Sequence, residues 1–206
     1  MTLELDHIAI AGEDLGAAAA HVEEALGVPL ALGGEHREMG THNKLLSLGP
    51  GVYLEAIAVN PDAPAPNRPR WFDLDNFTGR PRLTNWILRT ASLLAALSAA
   101  PSASGEPMAF KRGDYAWQMA VPEDGRLPYG GASPALIEWA GDAHPAAALP
   151  DSGCRLERLE IAHPDAMALM REFPALLRLE RVRLGPGPYF EMRADILTPH
   201  GLRHLR

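Results

Sequence analysis

The chain repeats one order of secondary-structure elements, and this repeat restricts the folds that it can adopt. An apolar run with few polar residues, Leu3–Ile10, predicts a strand, and apolar residues at helical spacing then predict a helix that ends at Gly27. Three further strands are predicted at Val28–Leu32, Asn43–Leu48 and Val52–Val59. The order is therefore βαβββ, with a turn region expected to begin at Gly33.

The same order returns later in the chain, which indicates internal duplication. Residues 1–60 form the first βαβββ module, residues 61–81 a proline-rich connector, and residues 82–143 the second module. Residues 154–206 read as a shortened third copy. Because each sheet has to bury its open face, we expect these units to pack together as one compact α+β domain.

Two polar residues interrupt apolar strands of the first module. His7 lies in the first strand and Glu55, 48 residues later, lies in the last. A buried charge is unfavourable unless it is paired or binds a metal, so these two residues predict a shared site. Overlaying the second module places Trp86 at the position of His7 and Glu138 near that of Glu55.

Charge and cysteine usage exclude several classes of partner. The 206 residues carry a net charge of -7 and no basic stripe, which argues against nucleic acid and anionic membrane surfaces. Cys154 is the single cysteine, so no internal disulfide can form, and we expect a small buried residue there. With no signal segment at Met1, we expect a soluble, cytoplasmic protein, and the oligomeric state stays open.

Several motifs together resemble the glyoxalase-like proteins of the vicinal oxygen chelate superfamily. They are Leu5–Ile10, Gly40–Asn43, Tyr53–Glu55, Pro134–Trp139, Asp142–Pro145 and Ala162–Asp165. The resemblance implies paired βαβββ modules whose curved mixed sheets enclose a cavity. It also implies a small-molecule ligand or substrate, because relatives include glyoxalase I, extradiol dioxygenases, epimerases and metal-free bleomycin-binding proteins.

In metal-using relatives, the first and last strands of the two paired modules supply the ligands. Carried over to this sequence, those positions are His7, Glu55, Trp86 and Glu138. The indole of Trp86 cannot bind a metal, and Trp139 is an alternative to Glu138 as the residue that faces the cavity. The expected ligand set is therefore incomplete.

His42 is a candidate for the missing ligand, depending on strand register. If Glu55 pairs with Leu45, His42 lies on the opposite face and Asn43 lines the cavity. A shift of one residue brings His42 to the face of Glu55 instead. The sequence leaves both registers open.

Two functions follow from the resemblance, and both stay open. In the first, His7, Glu55 and His42 bind a divalent metal (Zn, Fe, Mn, Ni or Mg), and Glu55 or Glu138 moves a proton. That chemistry suits a lyase, isomerase or dioxygenase acting on a small oxygen-rich or carbonyl compound. In the second, the cavity binds a small molecule without metal.

Other residues receive a minor role. In either function Trp86, Asn43 and Tyr53 line the pocket. His36 and His144 lie in predicted loops, where a histidine is more often solvated or hydrogen-bonded to the backbone than catalytic. Arg37 and Arg112 are further candidates for binding an anionic substrate. The aromatic connector segment Arg70–Phe72 either covers the cavity or fixes the linker.

Overall fold

The computed structural model describes residues 2–206 and contains an eight-stranded sheet, a four-stranded sheet and short helices. The predicted α+β class is confirmed. The strands of the described residues are β1 (Leu3–Ala11), β2 (Ala31–His36), β3 (Thr41–Ser47), β4 (Tyr53–Val59), β5 (Arg82–Thr90), β6 (Glu106–Arg112), β7 (Tyr115–Val121), β8 (Ala135–Trp139), β9 (Arg155–His163), β10 (Val182–Pro186), β11 (Glu191–Thr198) and β12 (Gly201–Leu205). The α-helices are α1 (Leu15–Leu26), α2 (Leu93–Leu97), α3 (Pro145–Ala148) and α4 (Ala166–Glu172).

The eight-stranded sheet is built from two halves of the same design. Its strand order is β2-β3-β4-β1-β5-β8-β7-β6. In the first half β1 runs parallel to β4, and in the second half β5 runs parallel to β8. Strands β1 and β5 pair antiparallel at the centre, so the halves are related by a two-fold axis between them. The sheet curls, and the cavity lies on its inner face.

Strand β2 spans Ala31–His36, so it begins and ends further along the chain than the predicted strand Val28–Leu32 and is one residue longer. The expected turn at Gly33-Gly34 lies inside this strand, at an irregularity between Leu32 and Glu35. A Cβ atom on Gly33 would lie 2.0 Å from Asn43 Oδ1, so a glycine is required where the two strands approach this closely. The glycine pair marks a close approach of strands rather than a turn.

The C-terminal unit has the predicted element order but a different strand order. Its sheet runs β10-β9-β11-β12, so the first strand, β9, lies inside the sheet. In the first module the corresponding strand β1 lies beside β4, at the end of the module's own strands. The boundaries proposed for the three units remain a prediction about how the chain is divided.

Two apolar clusters lie on opposite faces of the eight-stranded sheet. The outer cluster joins that face to α1 and to the four-stranded sheet, and it contains Trp86 and Cys154, both fully buried. The inner cluster joins the curled face to the connector residues Trp71, Phe72 and Leu74. A side chain of the eight-stranded sheet can therefore line the cavity only if it lies on the inner face.

Helix α1 has a defined end on each side. Asp14 accepts a hydrogen bond from the Ala17 amide at its start, and Gly27 ends it in the left-handed conformation with φ 73°. None of the helices in residues 2–206 has the length and apolarity needed to cross a bilayer.

Candidate active site

A β-bulge in β1 brings two neighbouring side chains into the same site. Leu5 pairs with Leu88 and His7 pairs with Ile87, so Asp6 is an extra residue between them. In a regular strand Asp6 and His7 would point to opposite faces. Here Asp6 Oδ1 lies 2.6 Å from His7 Nδ1, and both side chains are buried. Asp6 therefore orients the His7 ring.

His7 lies between two carboxylates and against one aromatic ring. Its Nε2 atom faces Glu55 Oε2 across 3.6 Å, which is within ion-pair range but longer than a hydrogen bond. The imidazole stacks on Tyr53, with ring centroids 4.4 Å apart and planes 14° from parallel. The ring is therefore fixed at one nitrogen and on one face, while the other nitrogen points toward Glu55.

The register of β3 and β4 places Glu55 next to Asn43. Leu45 pairs with Glu55, which is the first of the two registers considered from sequence, and Asn43 lies two residues away on the same face. Asn43 Nδ2 donates to Glu55 Oε1 at 2.5 Å, and Asn43 Oδ1 accepts from the Gly34 amide at 2.8 Å. The amide of Asn43 thus holds one oxygen of Glu55 and leaves the other facing His7.

A second histidine, His36, completes the polar wall. Its Nδ1 lies 3.0 Å from Thr41 Oγ1, and Arg112 Nη1 lies 3.1 Å from its Nε2. Because an arginine only donates, Nε2 accepts and the proton of the neutral ring lies on Nδ1. Burial, followed by the positive charge of Arg112, lowers the pKa of His36 to about 4, although Glu55 opposes this. His36 is therefore neutral at pH 7.

The other oxygen of Asp6 is held by one residue at the end of the second module and one just after it. Trp139 Nε1 donates to Asp6 Oδ2 at 2.9 Å, and His144 Nε2 lies 2.9 Å from the same oxygen. Asp6 is fully buried, whereas the His144 side chain is 16% exposed. A continuous row of polar groups therefore runs from near the surface at His144, through Asp6 and His7, to Glu55.

The buried charges stabilise one another's ionised forms. Burial alone would lower the pKa of His7, but the hydrogen bond to Asp6 and the negative charges of Asp6 and Glu55 outweigh it and raise that pKa to about 9. Burial opposes ionisation of Glu55, yet His7 and His36 lower its pKa to about 2. Hydrogen bonds from His144 and His7 likewise outweigh burial and hold the pKa of Asp6 far below its usual value. At pH 7 the site contains an imidazolium between two carboxylates.

Aromatic side chains close the cavity above this row. Trp71, Phe72, Trp117 and Trp139 line it together with Arg112. The free volume is about 20 Å³, which is room for about one water molecule. A substrate therefore requires one of these walls to move.

The connector forms one wall of the cavity, and its backbone is strained there. Phe72 and Asp73 have φ values of 61° and 54°, in the left-handed region that side chains other than glycine rarely adopt. Of the two roles considered for the segment Arg70–Phe72, its position over the cavity fits a cover.

The structure brings some of the predicted site residues together and separates the others. His7, Glu55, Asn43 and Tyr53 all line the cavity. His42 pairs with Ala58 and takes the opposite face of β3, where its Nε2 is buried without a hydrogen-bond partner among the described residues. The first register therefore removes His42 from the site.

Glu138 and Trp86 also lie away from the cavity. Glu138 Oε2 accepts a hydrogen bond of 2.6 Å from the Leu93 amide at the start of α2, and its neighbour Trp139 faces the site instead. Trp86 is fully buried in the outer cluster, where its indole donates to the Ala132 carbonyl at 3.1 Å. The expected roles of Glu138 in proton transfer and of Trp86 in lining the pocket do not agree with these positions.

Strand pairing identifies the true counterparts of His7 and Glu55. His7 pairs with Ile87 across the central two-fold axis, and β5 and β8 place Ile137 where β1 and β4 place Glu55. Both isoleucines belong to the inner cluster. The second module therefore contributes apolar side chains at the positions from which relatives supply metal ligands.

The residues present do not fit the four-ligand metal site that the resemblance implies. Two of its positions are isoleucines, and His42 and Glu138 face away. Within residues 2–206, no group of three or more His, Cys, Asp or Glu side chains is arranged to bind a metal ion.

Three contributors to the site have no leading role in the interpretation of the sequence. Asp6 is not predicted as a site residue, because the alternation of polar and apolar residues in a strand does not reveal a bulge. His36 is predicted to lie in a turn, because two glycines precede it. Arg112 is only a minor candidate, since nothing local links β6 to β2. The pair Gly33-Gly34 is the one sequence signal for a close contact here. A Cβ on Gly34 would lie 2.8 Å from Arg112 Cδ.

Comparisons with known proteins agree with this architecture. A family model described as a glyoxalase-like domain matches residues 5–177. A hypothetical protein from Staphylococcus aureus has a similar structure, with a TM-score of 0.62 and 15% identity over 92% of this chain and 88% of that one. At this identity the likeness concerns the fold. A comparison with curated proteins gave no match.

Weaker structural matches include two epimerases. Methylmalonyl-CoA epimerase from Mycobacterium tuberculosis gives a TM-score of 0.45 and 20% identity, over 71% of this chain and 92% of that one. The Streptomyces coelicolor methylmalonyl-CoA epimerase in complex with 2-nitronate-propionyl-CoA gives a TM-score of 0.46 and 16% identity, over 69% of this chain and 100% of that one.

Proposed function

Since the chain belongs to the glyoxalase-like domain family of the vicinal oxygen chelate superfamily, we propose that it is a small-molecule enzyme that moves a proton. The proposed substrate is a small carbonyl or oxygen-rich compound, and the reaction is of the isomerase or lyase type. Glu55 acts as the general base, and His7 stabilises and protonates the oxygen on which negative charge develops.

The observation that carries this proposal is the gap between His7 and Glu55. Glu55 Oε2 and His7 Nε2 face each other across 3.6 Å inside the cavity. Each group is held from behind, Glu55 by Asn43 and His7 by Asp6. A base and an acid fixed at this separation can address a C–H bond and the adjacent oxygen of one substrate.

The low pKa of Glu55 agrees with this role once a substrate is bound. His7 is the leading cause that lowers the pKa of Glu55 to about 2, which makes the free carboxylate a weak base. A substrate oxygen that accepts the Nε2 proton of His7 takes that interaction away from Glu55. Binding therefore raises the basicity of Glu55 when the proton has to be removed.

Arg112 supports the choice of an oxygen-rich substrate. Its guanidinium lines the cavity and contacts His36 and Asn43, and it has no carboxylate partner in the part of the chain that the structure describes. It therefore offers a positive charge to a substrate carboxylate or carbonyl.

A hydrogen-exchange assay tests the proposal, because it detects proton removal whatever the product is. The chelator-treated protein is incubated in D₂O with a panel of small 2-oxo acids and hydroxyketones, and the loss of C–H signals is followed by proton NMR. We expect exchange with at least one compound, and we expect Glu55→Gln to slow it roughly 100-fold or more. Glu157→Gln, which changes an exposed glutamate on β9, serves as the matched control.

Two results contradict the proposal. Exchange that persists in a folded Glu55→Gln variant excludes Glu55 as the base. Exchange that disappears on chelation and returns with added metal supports the metal-dependent reaction instead.

A second candidate is a metal-free binding protein. The aromatic lining by Trp71, Trp117 and Trp139 favours it, because such walls bind planar or apolar molecules without chemistry. In the same experiment, a compound that shifts the protein's tryptophan fluorescence but exchanges no hydrogen identifies the binder.

A further inference from the structure

We infer that a cleft beside the active-site cavity is a second binding site, for an aromatic anion that carries a hydrogen-bond donor. The cleft has a volume of about 440 Å³ and lies between the start of β5 and the start of β11. This volume is within the range of known small-molecule sites. Phe72 lines both the cleft and the cavity, so one side chain separates them.

The inner end of the cleft contains polar atoms that lack partners. Asn85 is 3% exposed, lines the cleft, and has no hydrogen-bond partner for Oδ1 within residues 2–206. The neighbouring Thr84 Oγ1 is likewise buried and without a partner there. Buried polar atoms are rarely left unpaired, so an unpaired amide oxygen in a residue that lines a cleft indicates a place for a donor.

The position of Asn85 follows from a second bulge. The pairing of β1 with β5 shifts between Ala9 opposite Asn85 and Ile10 opposite Leu83, which leaves Thr84 as the extra residue. Bulges redirect side chains next to functional sites. At this bulge, two adjacent polar residues line the same cleft.

The outer end of the cleft has an excess of positive charge. Arg126 Nε lies 3.2 Å from Asp73 Oδ1, and Arg206 Nη1 lies 3.5 Å from Glu191 Oε1. The third arginine, Arg82, donates to the carbonyls of Thr78 and Arg80 and has no carboxylate within 4.0 Å among the described residues. An anionic group at this end is therefore favoured.

Aromatic side chains form much of the remaining wall of the cleft. Phe72, Phe77, Tyr189 and Phe190 all line the cleft, and the Arg82 guanidinium stacks on Phe77 at 4.3 Å. A ligand that satisfies the whole cleft has a donor for Asn85, a flat apolar body, and a carboxylate or phosphate near Arg82. A phenol-bearing carboxylate has these three parts.

Isothermal titration with 4-hydroxyphenylacetate tests this site. We expect saturable binding to the full chain with one site, weakened by added salt because the arginine end is exposed. Asn85→Leu is expected to weaken binding roughly tenfold through loss of the phenol hydrogen bond. Arg82→Gln is expected to weaken binding and to reduce its salt dependence, whereas Arg203→Gln, an exposed arginine on β12, leaves binding unchanged.

The thermal stability of Asn85→Leu gives a second and independent readout. If the amide serves a ligand, replacing it with an apolar side chain leaves the melting temperature equal or higher, because an unpaired buried polar atom is removed. A clear fall in melting temperature shows that Asn85 serves the fold and overturns the inference. Absence of saturable binding to the wild type, or equal binding by Asn85→Leu, overturns it as well.

The inference does not depend on the proposed function. Glu55→Gln is expected to bind 4-hydroxyphenylacetate as the wild type does, since Glu55 does not line the cleft. If the exchange assay fails but this binding persists, only the proposed reaction is wrong. If Glu55→Gln abolishes the binding, the compound occupies the cavity and the separate site is refuted.

Discussion

Ionisation of His7 links the stability of the fold to pH, and the size of the effect follows from its surroundings. The pKa of His7 rises from an ordinary 6.5 to about 9 in the folded chain. Because each tenfold change in proton affinity is worth about 1.4 kcal/mol, the charged His7 stabilises the fold by roughly 3 kcal/mol. His7 is buried, so solvent screens this contribution little.

The sign of the effect follows from the direction of the pKa change. A group whose pKa is raised on folding contributes fully below its unfolded pKa and loses that contribution as pH rises through the folded value. We therefore expect the free energy of unfolding to fall between about pH 6.5 and pH 9. The lowered pKa values of Asp6 and Glu55 act oppositely, and their contribution is lost as the solution becomes acidic.

Urea unfolding followed by tryptophan fluorescence measures this dependence. Wild type, His7→Gln and His204→Gln are unfolded at pH 6.5 and at pH 9, with His204 as an exposed control on β12. We expect wild type and the control to lose roughly 3 kcal/mol more than His7→Gln over this interval. An equal loss in His7→Gln and wild type refutes the assignment of the effect to His7.

Two substitutions test the supports of the site. Asp6→Asn removes a buried carboxylate that contacts His7, His144 and Trp139, so we expect the free energy of unfolding in urea to fall by about 3–5 kcal/mol. Asp142→Asn, at an exposed position, is the control, and a loss below about 1 kcal/mol for Asp6→Asn contradicts a buried ion pair. Gly33→Ala places a Cβ 2.0 Å from Asn43 Oδ1 and is expected to lower stability by about 1–3 kcal/mol or more, measured as melting temperature. Gly185→Ala, where a Cβ meets nothing within 4 Å, is its control, and equal melting temperatures would show that β2 and β3 adapt freely.

The duplicated fold and half of the site can be predicted from the sequence. Apolar strands and one amphipathic helix recur in order, which is enough to place His7 and Glu55 in neighbouring strands of one module. The hairpin of β3 and β4 is also predictable, although its register is not. Asn43 or His42 faces the site depending on a shift of one residue, and strand periodicity alone does not set that shift.

The same one-residue ambiguity explains the errors in the second module. Overlaying the modules by residue count selects Trp86 and Glu138, whereas strand pairing selects their neighbours Ile87 and Ile137. Successive side chains in a strand point to opposite faces, so a displacement of one residue exchanges a cavity residue for an outer one. Bulges at Asp6 and Thr84 add such displacements without any local sequence signal.

The two isoleucines at the positions that correspond to His7 and Glu55 have a consequence for protein design. The two halves of the eight-stranded sheet share one pattern of strand pairing, yet one half places polar side chains where the other places apolar ones. Ile87→His and Ile137→Glu would place polar groups on the inner face of the sheet, where Ile137 already lines the cavity. The chain is therefore a scaffold in which the contribution of backbone geometry to metal binding can be separated from that of the side chains.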